Sequence, residues 1–241
     1  MPDRKWQQNI HTNLPNSITF LSLGSGLISI VLSTGGLIVP AAACIFFSIF
    51  LDYLDGFLAR KLNLSSGFGK ELDSLADIVS FGVAPILLVW NYLAVGTGLS
   101  YWVLPVFVLQ LFAGAYRLAR FNLQQPKRGS FDETLGLTIT QSGMVIALAV
   151  LSDLSSETYT LPIWTYLLLS VFLSYLMVSK LVFPSPSWYA PTKRSYLIYL
   201  FLGAILAYFS SIFTTLLVIY LGGLTFSIGR QIYLFSIRSH I

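Results

Sequence analysis

From Ser195 to Gly229 the chain carries no charged side chain. A run of this kind limits the possible folds more than any motif does, because extended in water it exposes apolar surface along its whole length. Similar runs recur from one end of the sequence to the other. A helix that crosses a membrane needs about 20 mostly apolar residues, with a range of roughly 17 to 25. Six such spans are expected at about Pro15 to Ser33, Leu37 to Ala59, Lys70 to Tyr92, Ser100 to Phe121, Leu135 to Leu151 and Leu161 to Phe183. The run from Ser195 is too long for one helix and is expected to fold back near Ser210 and Ser211, giving a seventh and an eighth. Composition agrees: 55% of the 241 residues are hydrophobic and 10% are charged, whereas a soluble domain carries about 25% charged residues. The expected fold is all-α, a single polytopic transmembrane helical bundle over residues 1–241. A β-barrel would need alternating strands of about ten residues, and the runs here are continuously apolar.

The charges fix an orientation. With eight spans, all 14 Lys and Arg residues fall on one side: Arg4, Lys5, Arg60, Lys61, Lys70, Arg117, Arg120, Lys127, Arg128, Lys180, Lys193, Arg194, Arg230 and Arg238. The opposite loops hold Asp153 and Glu157 instead. Positive loops mark the cytoplasmic side, so both termini and the connection between spans two and three are expected there, in a cell (inner) membrane. This explains the net charge of +4 without nucleic acid. The lone Cys44 lies in an apolar run and is expected to serve packing. No small-residue cleavage site follows the first apolar run, so no cleavable leader is expected.

Against this background the segment from Asp52 to Asp77 stands out. Asp52 and Asp55 are three apart, and Asp73 and Asp77 four apart. Residues at those spacings share a helix face, and carboxylates set in apolar sequence are costly and functional by default. Facing carboxylates repel one another. Hard divalent cations with a preference for oxygen, such as Mg²⁺ or Mn²⁺, relieve that repulsion. Two facing pairs suit two ions about 4 Å apart, the arrangement of phosphoryl-type displacements. His11 and His240 lie near the termini, so a zinc or haem site is not expected. Gly56 and Ala59 leave room for a ligand on the face of Asp52 and Asp55. Arg60 stands where it could meet a phosphate, and the loop from Asn63 to Gly69 can turn the two acidic helices together. Two other readings fit the same residues: a polar network that only fixes helix packing, and an ion-coupled transporter. The transporter would want its acids near the membrane midplane.

The segment resembles the CDP-alcohol phosphotransferase signature, D-x2-D-G-x2-A-R-x8-G-x3-D-x3-D. Asp52, Asp55, Gly56, Ala59, Arg60, Gly69, Asp73 and Asp77 occupy its fixed positions. The resemblance implies a metal-dependent enzyme that moves a substituted phosphate from a CDP-linked donor to an alcohol and releases CMP. It implies two divalent ions on Asp52, Asp55 and Asp73, with Asp77 near them and acting as general base. It implies that Gly56 and Ala59 make room for the cytidine nucleotide, with Gly69 counted among the donor-site positions. KELDSLADIVSFGVAP (Lys70 to Pro85), AYRLARFN (Ala115 to Asn122), YLMVSKLVFPS (Tyr175 to Ser185) and LPNSIT (Leu14 to Thr19) look like the membrane-integral CDP-diacylglycerol–serine phosphatidyltransferases. By this resemblance residues 14–185 form the core and 195–238 add two helices. The substrates would be CDP-diacylglycerol and L-serine, the surroundings membrane lipid, and the assembly a homodimer. Glycerol-3-phosphate or inositol phosphate is the alternative acceptor, and Ile78 after Asp77, in place of a basic residue, favours serine.

Other polar residues carry two readings each. Arg117 and Arg120 can hold the donor's diphosphate or the acceptor's carboxylate, or anchor the helix end by snorkelling. Asn16 and Thr19 can bond the nucleotide, or Asn16 or Ser17 can cap the first helix. Gln141 and Ser142 are expected to bond across helices.

Overall fold

The computed structural model describes residues 3–62, 64, 66–97, 101–123, 133–156, 160–184 and 212–238. The chain forms two compact units, residues 1–104 and 105–241.

In the first unit, α1 (Asp3–Thr34) and α2 (Ile38–Lys61) are joined by a tight turn. Gly36 sits there at φ +79°, a left-handed conformation that glycine adopts without a Cβ penalty. The sequence explains why the two helices lie antiparallel and close. Thr19, Ser22, Ser25, Gly26, Ser29 and Ser33 make a buried stripe along α1. Small residues let membrane helices approach, and their hydroxyls bond across the gap. Ser22 and Ser48 each donate to the other's carbonyl, at 3.2 and 3.0 Å. Ser25 donates to the Cys44 carbonyl at 2.9 Å and Ser29 to that of Ala41 at 2.8 Å. Partners thus descend α2 as they climb α1, which fixes the register.

α3 (Gly67–Asp77) opens on Ser66, whose hydroxyl accepts from the Gly69 N–H at 2.9 Å, an N-cap of the usual kind. It continues through a π-helical turn, Ile78–Val83, into α4 (Ala84–Thr97). Ser80 in the π turn donates to the Ser22 carbonyl at 3.1 Å. A Cβ on Gly26 would lie 2.7 Å from the Ser80 Cα, so the glycine is what lets the π turn sit against α1. Midway along α4, Asn91 donates to Ser33 at 3.1 Å.

The second unit holds α5 (Leu104–Leu123), α6 (Ile139–Leu154), α7 (Ile163–Val178) and α8 (Ile212–Arg238). Gln110 of α5 donates to Ser142 of α6 at 3.2 Å, and the Ser152 and Thr214 hydroxyls lie 2.7 Å apart between α6 and α8. At the end of α6 the buried Asp153 accepts from the Leu161 N–H and the Tyr166 hydroxyl, at 2.6 and 2.9 Å, and so closes the α6–α7 connection.

Among the described residues, five helical stretches are long and apolar enough to cross a membrane: Leu14–Thr34, Ile38–Lys61, Gly67–Ala94, Tyr101–Leu123 and Ile212–Gly229. Seven of the eight expected spans fall on helices. The other, from Ser195 to about Ser210, lies outside the described residues, as does the expected turn there. The helical expectation needs one correction. Two short strands, β1 (Glu133–Leu135) and β2 (Val182–Pro184), pair antiparallel with Leu135 opposite Val182. Leu135 falls within the expected fifth span and Val182 and Phe183 within the sixth, and α6 and α7 are shorter than those spans, at 16 residues each. Gly136 takes φ +76° directly after β1, and Thr138 with Gln141 then forms a capping box that starts α6. Gln141 therefore caps a helix, and of the expected cross-helix pair it is Ser142 that bonds to another helix.

Candidate active site

Asp52 and Asp55 lie on the last turns of α2, and Asp73 and Asp77 lie on α3 beyond a short loop. That loop returns the chain at once: the Leu64 N–H donates to the Ala59 carbonyl at 2.9 Å. Arg60 and Lys61 end α2, where cations suit the negative end of the helix dipole. The two acidic segments thus meet at one end of the first unit. Oxygens of Asp52, Asp55 and Asp73 all lie within 4.8 Å of one another. Asp55 is buried, while Asp52 and Asp73 are half-buried. Asp77 is the last residue of α3, one turn past Asp73, and is buried. It stands beside the three-carboxylate group and outside it.

This donor set fits a hard divalent ion. Three carboxylates converge from two helices, all ligands are oxygen, and the group is partly open for a substrate oxygen to complete the coordination. The site could hold such a cation with Asp52, Asp55 and Asp73 as ligands.

The neighbouring residues fall into place around it. A Cβ on Gly56 would meet the Arg60 Nη1 at 3.4 Å, so the exposed Arg60 side chain folds back along α2 over Gly56. Ala59 is half-buried on the same turns. A Cβ on Gly69 would lie 3.1 Å from both Asn16 Oδ1 and Ser66 Oγ, so α1 and the start of α3 close on each other where only a small residue fits. Asn16 is interior to α1, which begins at Asp3 and includes Pro15. The capping alternative for Asn16 and Ser17 therefore does not apply. Thr19 is buried, and its hydroxyl donates to Asp55 Oδ2 at 2.6 Å.

Arg117 and Arg120 belong to the second unit. Arg117 is buried, with its guanidinium 5.1 Å from the Phe121 ring centre. Arg120 directs its terminal nitrogens to main chain: Nη1 donates to the Val178 carbonyl at 2.9 Å, and Nη2 to those of Leu135, Ser179 and Met177 at 3.0, 3.2 and 3.3 Å. It satisfies carbonyls at the end of α7, which have no helical partner of their own. Lys180 is exposed just beyond, and Lys127 and Arg128 lie outside the described residues.

Ser22, Ser48 and Ser80 occupy no fixed position of the signature, yet their bonds hold α1, α2 and the π turn together. The repeat of hydroxyls at helical spacing through an apolar run was the available signal.

Residues 12–153 match the CDP-alcohol phosphatidyltransferase family. The CDP-diacylglycerol–serine O-phosphatidyltransferase of Helicobacter pylori is 36% identical over 176 residues, covering 71% of this chain and 71% of its own. The Bacillus subtilis protein of that name is 38% identical over 178 residues, covering 71% of this chain and 89% of its own. The archaetidylserine synthase of Methanothermobacter thermautotrophicus is 33% identical over 173 residues, covering 71% and 69%.

Proposed function

The chain belongs to the CDP-alcohol phosphatidyltransferase family, and we propose that it transfers the phosphatidyl group of CDP-diacylglycerol to the hydroxyl of L-serine, giving phosphatidylserine and CMP. The observation that carries this reading is the convergence of Asp52, Asp55 and Asp73 within the family signature. The serine-specific names of the bacterial relatives support serine as acceptor.

In this reading Asp52, Asp55 and Asp73, with Asp77 beside them, hold two divalent ions, Mg²⁺ or Mn²⁺. When bound, such ions supply charge neutralisation to a diphosphate and its departing half. Gly56 and Ala59 give the cytidine nucleotide access to the α2 backbone, and Arg60, Asn16 and Gly69 border the same end. Asp77 accepts the proton of the serine hydroxyl. The serine oxygen then forms its bond to the phosphorus that carries the diacylglycerol, the bond from that phosphorus to the CMP oxygen breaks, and CMP leaves. Of the two arginines, Arg117 keeps the proposed role of binding the donor's diphosphate or the serine carboxylate, since Arg120 is occupied by main-chain carbonyls. The whole chain acts as one membrane domain with 14–185 as its core, works as a homodimer, and presents the site to the cytoplasm of the cell membrane.

The test is CMP release by purified protein given CDP-diacylglycerol, Mn²⁺ or Mg²⁺ and single acceptors. Release is expected with serine, is abolished by EDTA, and is lost in Asp77→Asn while nucleotide still binds. Release that follows glycerol-3-phosphate or inositol phosphate and ignores serine overturns the acceptor, and full activity in Asp77→Asn overturns the base.

A further inference from the structure

Thr19 and Asp55 are on different helices, yet Thr19 Oγ1 lies 2.6 Å from Asp55 Oδ2. Both side chains are buried, with 4% and 5% of their surfaces exposed. The same hydroxyl stands 3.1 Å from the Pro15 carbonyl, four residues back on α1. A hydroxyl has one hydrogen to give. The shorter separation, and the greater strength of a bond to an ionised acceptor, direct it to the carboxylate.

That bond has a geometric effect. The terminal torsion of an aspartate is broad and roughly two-fold, so its rotamer alone does not fix the plane of the carboxylate. Here one oxygen of Asp55 is tied to α1, and the plane of the group is set. Asp55 is also one of the three carboxylates whose oxygens lie within 4.8 Å of each other. The tether itself is firmly placed. One turn along α1, Ser22 exchanges bonds with Ser48 of α2 and receives one from Ser80 of the π turn. The contacts that fix Thr19 therefore also fix both helices that carry the acids.

We propose that Thr19 is a positioning residue for cation binding: its hydroxyl holds the Asp55 carboxylate in the orientation that aligns it with Asp52 and Asp73 before the ion arrives. This rests on the reading of Asp55 as a cation ligand. It differs from the nucleotide contact expected of Thr19 from sequence, because the hydroxyl is buried and committed to Asp55.

The test measures Mn²⁺ binding to the purified protein without substrate, by the loss of the free Mn²⁺ paramagnetic resonance signal. CMP release is then followed as Mn²⁺ is raised. Thr19→Val is expected to weaken Mn²⁺ about 10- to 100-fold, the usual cost of losing a partner behind a metal ligand. CMP release should recover at saturating Mn²⁺ with the KM for CDP-diacylglycerol unchanged, and Thr19→Ser should bind Mn²⁺ as the natural protein does. Wild-type Mn²⁺ affinity in Thr19→Val overturns the proposal, including in a variant that merely melts earlier. So does a raised donor KM at saturating Mn²⁺, which would place Thr19 on the nucleotide. If Thr19→Val does not accumulate, Thr19→Ala removes the hydroxyl without added volume and is judged by the same outcomes. Asp55→Asn separates the premise from the proposal. Undiminished Mn²⁺ binding there means that Asp55 is no ligand, and the role of Thr19 falls with it.

Discussion

The guanidinium of Arg120 reaches four carbonyls from Leu135, Met177, Val178 and Ser179. Hydrogen bonds to a charged group contribute about 1.5–3 kcal/mol each when shielded. Two of these bonds are exposed, and solvent reduces such contributions. Arg120→Ala is therefore expected to destabilise the protein by about 1–2 kcal/mol, read as an earlier thermal midpoint in detergent, with the donor KM unaltered. An unaltered midpoint with a raised KM would put Arg120 on the substrate. Lys should rescue poorly, because an ammonium cannot reproduce the planar fork. At this scale the convergence of Asp52, Asp55 and Asp73 was legible in advance. The three- and four-residue spacings put each pair on a helix face, and a short polar loop brings the faces together. The Thr19–Asp55 bond was not legible. It depends on the register between α1 and α2, and no local pattern states which residue of one helix lies opposite which of the other.

At the scale of elements, the packing of α1 on the π turn depends on Gly26. A Cβ there would lie 2.7 Å from the Ser80 Cα, and backbone cannot step aside as a side-chain tip can. Overpacking of this kind costs about 1–3 kcal/mol. Gly26→Val is expected to lower the thermal midpoint and, by shifting α3, to weaken Mn²⁺ binding as well. Gly24→Val is the control, since no atom lies within 4 Å of a Cβ at that position. Equal melting of the two variants would remove the π-turn contact from the account. The short helices α6 and α7 also belong to this scale. Hydropathy extends the expected spans over Leu135 and over Val182 and Phe183, because these strand residues are as apolar as those of a membrane helix. The Gly136 turn and the Thr138–Gln141 capping box are polar and conformational signals, and they override hydropathy where the two conflict.

Over the whole molecule, the long apolar helices and their outward Phe20, Leu21, Leu27, Ile28 and Val31 are what a chain bathed in lipid requires. That long apolar helices form was legible because it rests on length and composition alone; their number was not, since α6 and α7 are only 16 residues each. Orientation rests on the placement of Lys and Arg, and it is tested by labelling. In a Cys44→Ser background, Leu37→Cys in the α1–α2 turn and Phe68→Cys at the start of α3 place exposed thiols at opposite ends of α2. In intact cells an impermeant maleimide is expected to label the first and to reach the second only after lysis. The opposite pattern would invert the topology. The π turn also bears on this scale, through rotational phase. Leu72, Ala76, Ser80, Ala84 and Leu88 are all buried, at a constant step of four. In an α-helix of 3.6 residues per turn each such step overshoots by about 40°, so the stripe would wind away from α1 before it reached Leu88. The wider winding of Ile78–Val83 returns about one residue's worth of that rotation, roughly 100°. The third span is thus a vernier: the π turn keeps the buried residues of α3 and those of α4 on one side. Removing a single residue between 78 and 83 would swing one half away from the other.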